Sequence, residues 1–83
     1  MTQTQFFWQT DDSASIAAGN ARLWLVATTD NPVRWAVYEG YKLLGITHRT
    51  EDDRTPDGEA KLWARIEALL ATRGLNVDNW GTP

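Results

Sequence analysis

The sequence contains no cysteine, which excludes disulfides and thiolate metal sites as sources of stability. Histidine occurs once, at His48, so a zinc site would have to be completed by carboxylates. A nucleophile–histidine–carboxylate arrangement would need His48, with Asp52 or Asp53 as the orienting group and a serine or threonine as nucleophile, the serines being only Ser13 and Ser15. Both serines fall in a segment that reads as loop or short turn, and nothing resembles a nucleophile elbow. His48 is expected to be a partly exposed residue near a strand end. The six glycines are scattered at 19, 40, 45, 58, 74 and 81, so there is no glycine-rich loop to cradle a phosphate. No apolar run approaches the roughly 18 residues of a membrane span. The first five residues lack the basic start and apolar stretch of a signal peptide. A cytoplasmic protein with no membrane contact is the expectation. Repeats, low-complexity tracts and interdomain linkers are also missing.

Basic residues are outnumbered. Eight Lys and Arg face eleven Asp and Glu, a net charge of −3, opposite in sign to the usual footprint of a phosphate-backbone binder. What the chain does have is aromatic bulk: five tryptophans, two tyrosines and two phenylalanines in 83 residues. A single domain of this size buries only about 60–65 % of the surface its unfolded chain exposes. Side chains that each bury on the order of 150–250 Å² are therefore its natural core material.

The clearest element is a helix over residues 56–73. Thr55 is suited to the N-cap and Pro56 to the first helical position. Asp57 and Glu59 place negative charge at the positive end of the dipole. Leu62, Trp63, Ile66, Leu69 and Leu70 share one arc of about 120°. Gly74 stands where a left-handed residue ends a helix, with Leu75 placed to touch Leu70. Upstream, residues 22–29, 33–39 and 41–49 are rich in β-branched and aromatic side chains. They are separated by the turn chemistry of Asp30-Asn31-Pro32 and of Glu39-Gly40. Residues 5–10 suit a fourth strand. Residues 12–19 suit a single helical turn or a loop, and residues 75–80 a short edge strand or an ordered tail. The implied fold is α+β, one domain over 1–83. It comprises an N-terminal strand or loop segment (1–20), an antiparallel β-meander (21–50), a C-terminal helix (55–74) and a tail (75–83). The sheet has three to four strands, with the helix on one face.

Residues 51–59 hold five of the eleven acidic groups. Aligned as an EF-hand loop from Asp53, the twelfth position is Ala64, where a bidentate glutamate is required. The stretch therefore reads as a solvated loop and helix cap. No cofactor and no metal are expected.

Two-residue turns at Asp30-Asn31 and Glu39-Gly40 would put Trp24, Val26, Val33, Trp35, Val37, Leu44 and Ile46 on one sheet face. Leu23, Leu25, Ala27, Ala36, Tyr38, Tyr41 and Leu43 would fall on the other. Each strand thus carries large apolar groups on both sides, whereas a sheet with one solvated face alternates apolar with polar. One helix covers one face. The other needs Phe6, Phe7, Trp8 and Ile16 folded across it, a second copy of the chain, or a different partner. The function that follows is a non-catalytic protein-interaction module, a stand-alone adaptor or inhibitor, with self-association as one form of it. The alternatives are a nucleic-acid-binding domain using the sheet face and a subunit of a larger complex without activity of its own. Aromatics and an arginine are the expected interface anchors: Trp8, Trp24, Trp35 and Tyr38, with Arg34.

Overall fold

A computed structural model describes residues 4–77, and part of the expected 75–80 tail lies outside them. The fold is α+β: one antiparallel sheet in meander order and one C-terminal helix. The sheet has five strands rather than three or four. They are β1 (Thr4–Thr10), β2 (Ser13–Ala18), β3 (Ala21–Ala27), β4 (Arg34–Glu39) and β5 (Lys42–His48), followed by α1 (Pro56–Thr72).

The extra strand is β2, the segment expected to be a helical turn or loop. Its composition, SASIAA, is poor in β-formers. Neighbours override that preference. Trp8 pairs with Ala14, Phe7 with Ser15 and Ser15 with Trp24, so the small residues of β2 make room for aromatics on both sides. Gly19 at φ 59° and Gly40 at φ 58° each occupy the first central position of a two-residue hairpin, a conformation that favours glycine. The second of these turns is Gly40-Tyr41, because Glu39 pairs with Lys42.

The β3–β4 connection is longer than a tight turn. It runs from residue 28 to 33 and includes a cis Asn31-Pro32 bond, and Ala27 pairs with Trp35. That register is one residue away from the one a turn at Asp30-Asn31 would impose. A one-residue slip exchanges the faces of a strand. Trp35 and Val37 therefore join Leu23 and Leu25 in the core, whereas Ala36 and Tyr38 join Trp24 and Val26 on the opposite face. In β5 a bulge opposite Val37 and Tyr38 leaves Leu44 without a partner and buried, while Leu43 and Ile46 face outward.

Helix α1 follows local rules at both ends. The Thr55 hydroxyl accepts the Gly58 amide at 3.0 Å. At the other end, Leu75 N–H bonds Leu70 C=O and Gly74 N–H bonds Ala71 C=O, a Schellman ending with Gly74 at φ 71°. Leu62, Ile66 and Leu70 are buried against Ile16, Leu23, Leu25, Trp35 and Val37, with Trp63 and Leu69 partly buried beside them. Leu69 rests on Gly45, where a Cβ would lie 2.5 Å from its Cδ1.

Candidate functional site

Two groupings of side chains stand out, one on each side of the sheet. The first is the face opposite the helix. Cross-strand pairing lines up Phe7, Ser15, Trp24, Tyr38 and Leu43 in one row across all five strands. Val26, Ala36 and Ile46 form a shorter row beside it. Phe7 is 45 % exposed, Trp24 46 % and Leu43 46 %, with Val26 and Ile46 also open to solvent. Phe6, Trp8 and Ile16 point the other way, into the helix-side core. They do not close this face, and Phe7 adds to it.

The charges on this face are few and occupied. Arg34 donates to Asp30 at 2.6 Å and 3.3 Å, and these bonds hold the Asp30 carboxyl below its ordinary range. Arg22 turns back on the carbonyls of Gly19 and Ala21, at 2.8 and 2.9 Å. His48 is exposed at the end of β5, opposite Arg34. The rest of the face is hydroxyl, amide and apolar.

The second grouping surrounds Asp53 on the helix side. Asp53 is 2 % exposed, in contrast to the solvated loop expected for 51–59. Its Oδ2 accepts the Trp35 indole N–H at 2.8 Å and the Thr50 amide at 2.8 Å. Its Oδ1 accepts the Thr50 hydroxyl at 2.6 Å and Arg65 Nη2 at 2.9 Å. Burial pushes the carboxyl upward, but the Thr50 hydroxyl and amide, Trp35 and Arg65 outweigh it, and the net direction is downward. Arg49 lies 4.4 Å over the Trp35 ring and Arg54 lies 5.5 Å over Trp8. Both arginines are also paired, Arg49 with Asp12 and Arg54 with Asp11. The Trp8 indole N–H donates to Glu59 at 2.6 Å. An open hollow of about 610 Å³ adjoins this cluster, yet every charged group of the network just described already has a partner. The arrangement fastens the helix and its leading loop to the sheet.

The residues expected to anchor an interface are thus divided. Trp24, Tyr38 and Arg34 stand together on the open face. Trp35 is 1 % exposed, and Trp8 packs against it with ring centroids 5.8 Å apart. Phe7, Val26, Leu43 and Ile46, which sequence reasoning did not single out, complete the open face. The β3–β4 register that groups them depends on a loop length that composition does not reveal. Among the described residues no group of three or more His, Asp or Glu is placed to hold a metal ion. No helix of the described residues is long and apolar enough to cross a membrane. No protein-family model matches the chain, and no curated protein or solved structure matches it significantly.

Proposed function

We propose that the chain is a non-catalytic protein-interaction module whose contact surface is the open sheet face. The observation that carries this reading is the row of exposed Phe7, Trp24 and Leu43, with Tyr38 partly buried between them, on a continuous sheet with no described element over it. Apolar patches of a few hundred Å² are at the upper end for a monomer and mark interaction sites. Tryptophan and tyrosine are also the side chains that most often dominate binding energy. Nucleic-acid binding by the same face has less support. Stacking on exposed aromatics is available, but Arg34 is engaged by Asp30 and Arg22 by backbone carbonyls. Among the described residues of the face that leaves Arg22 as the one uncompensated positive charge, too little for a phosphate backbone.

A photoreactive phenylalanine analogue placed in turn at Trp24, Leu43 and Glu67 tests the reading. Glu67 is on the exposed side of α1 and serves as control. Crosslinks to protein, in cells or in lysate, are expected from positions 24 and 43 and not from 67. A folded chain that gives no crosslink from either sheet position would contradict it.

A further inference from the structure

We infer that the occupant of the open face is a second copy of the same face, packed sheet on sheet about a two-fold axis that runs along the strands through β3. This rests on the open face being the contact surface.

A symmetric face-to-face dimer needs a self-complementary patch, in which residue i meets j and j meets i. An axis parallel to the strands and lying between the sheets places β1 over the partner's β5, β2 over its β4, and β3 over itself. It keeps each cross-strand row at its own level. The row Phe7, Ser15, Trp24, Tyr38, Leu43 therefore meets its own reverse. Phe7 faces Leu43 across the axis, two apolar side chains at the rims. Ser15 faces Tyr38, so the trough over the small residues of β2 receives the ring standing on β4. Trp24 sits at the centre and meets its own copy, where the usual angle of about 30° between packed sheets offsets the two indoles. In the neighbouring row Ser13 faces Ala36, small against small, and Val26 faces itself. The other in-plane axis, perpendicular to the strands, would lay trough on trough and leave a void over β2.

Size and charge agree with this occupant. Five strands spaced about 4.8 Å apart, with 6–7 residues at about 3.3 Å each, make a face of roughly 24 by 20 Å. Two such faces bury on the order of 1,000 Å², the lower limit for a specific interface. The dimer is accordingly of moderate affinity, with a Kd in the micromolar range. A strongly charged partner would find little to pair with on the described face, because Arg34 is neutralised by Asp30 and Arg22, held on two carbonyls, is a single uncompensated charge at one end of β3. A copy of the same near-neutral apolar surface matches it by construction.

Light scattering behind size-exclusion chromatography, over about 1 μM to 1 mM, tests the inference on the full chain. The mass is expected to rise from 9.4 kDa toward twice that value. Trp24→Glu, which sets two carboxylates on the axis, should weaken association at least 100-fold. Ser15→Phe is the sharper variant: it makes the face more apolar but fills the trough that Tyr38 needs, so it too should weaken the dimer, by at least 10-fold. Far-UV circular dichroism checks that both variants fold, and Ser15→Phe carries the test alone if Trp24→Glu does not. A mass of one chain at every concentration overturns the inference. So does a dimer indifferent to both variants, or one that Ser15→Phe tightens, which would indicate a merely adhesive patch. If the chain stays monomeric yet crosslinks from position 24 reach another protein, the interaction-module reading stands and the self-pairing falls. If both experiments are blank, both fall.

Discussion

A carboxylate removed from water is tolerated only when its oxygens are fully matched, and Asp53 meets that condition through Trp35, Thr50 and Arg65. Its folded-state pKa lies below the ordinary value of 3.8. The unfolded chain therefore takes up the proton first as pH falls. The stability that Asp53 contributes is complete above the unfolded value and is lost as pH drops through the folded one. Asp53→Asn removes the charge opposite Arg65 and turns an NH₂ group toward donors, so a loss of about 2–4 kcal/mol at pH 7 is expected. Thermal melts of both proteins from pH 7 to pH 3 check this. The gap should begin to narrow below about pH 4, where the unfolded chain takes up the proton while folded Asp53 stays charged; a gap independent of pH contradicts the assignment. Little of this was legible beforehand. Asp53 sits in a run of acidic residues that reads as solvated, and nothing local says that Trp35, 18 positions away, needs an acceptor there. An indole destined for the core always needs one, and that was the only available signal.

At the level of elements, what the sequence discloses is what local chemistry decides. Both helix ends were readable from Thr55-Pro56 and from Gly74-Leu75, because caps depend on residues within one turn. Strand β2 was not readable, since alanine and serine become a strand only between the aromatics of β1 and β3. Nor was the face assignment of β4, which turns on one residue of loop length between Thr28 and Val33. Gly58 shows how packing reverses a local rule. In a solvent-exposed helical turn, Gly→Ala stabilises by about 1 kcal/mol. At Gly58 a Cβ would lie 1.7 Å from the Asp52 carbonyl oxygen, because the loop that carries Asp53 crosses the first turn of α1 at that point. Gly58→Ala is therefore expected to destabilise by about 1–3 kcal/mol, and chemical denaturation at neutral pH measures it. Equal or greater stability would mean that the loop is not held against the helix.

For the whole molecule, the question is why one side of a small sheet is sealed by a helix and the other, among the described residues, left apolar and bare. Two tryptophans report on the two sides. Trp35 belongs to the fold: its truncation to alanine should cost about 3–5 kcal/mol at any protein concentration. Trp24 contributes to the isolated chain only through cross-strand pairs such as that with Tyr38, worth about 0.2–1 kcal/mol, so Trp24→Glu should melt within a few degrees of wild type in dilute solution. If two faces pair, mass action separates the proteins as concentration rises. The wild-type Tm climbs with concentration, while that of Trp24→Glu stays flat. Salt sharpens the distinction further. Pairing about an axis along β3 brings the two Arg22 side chains, at matching ends of that strand, toward each other. Screening by added salt then tightens the dimer, whereas a complex with nucleic acid would weaken steeply under the same change. Melting curves at two concentrations and two ionic strengths thus separate a face used for self-pairing from one used for phosphates. A wild-type Tm that ignores both variables would place the purpose of the open face with some other protein.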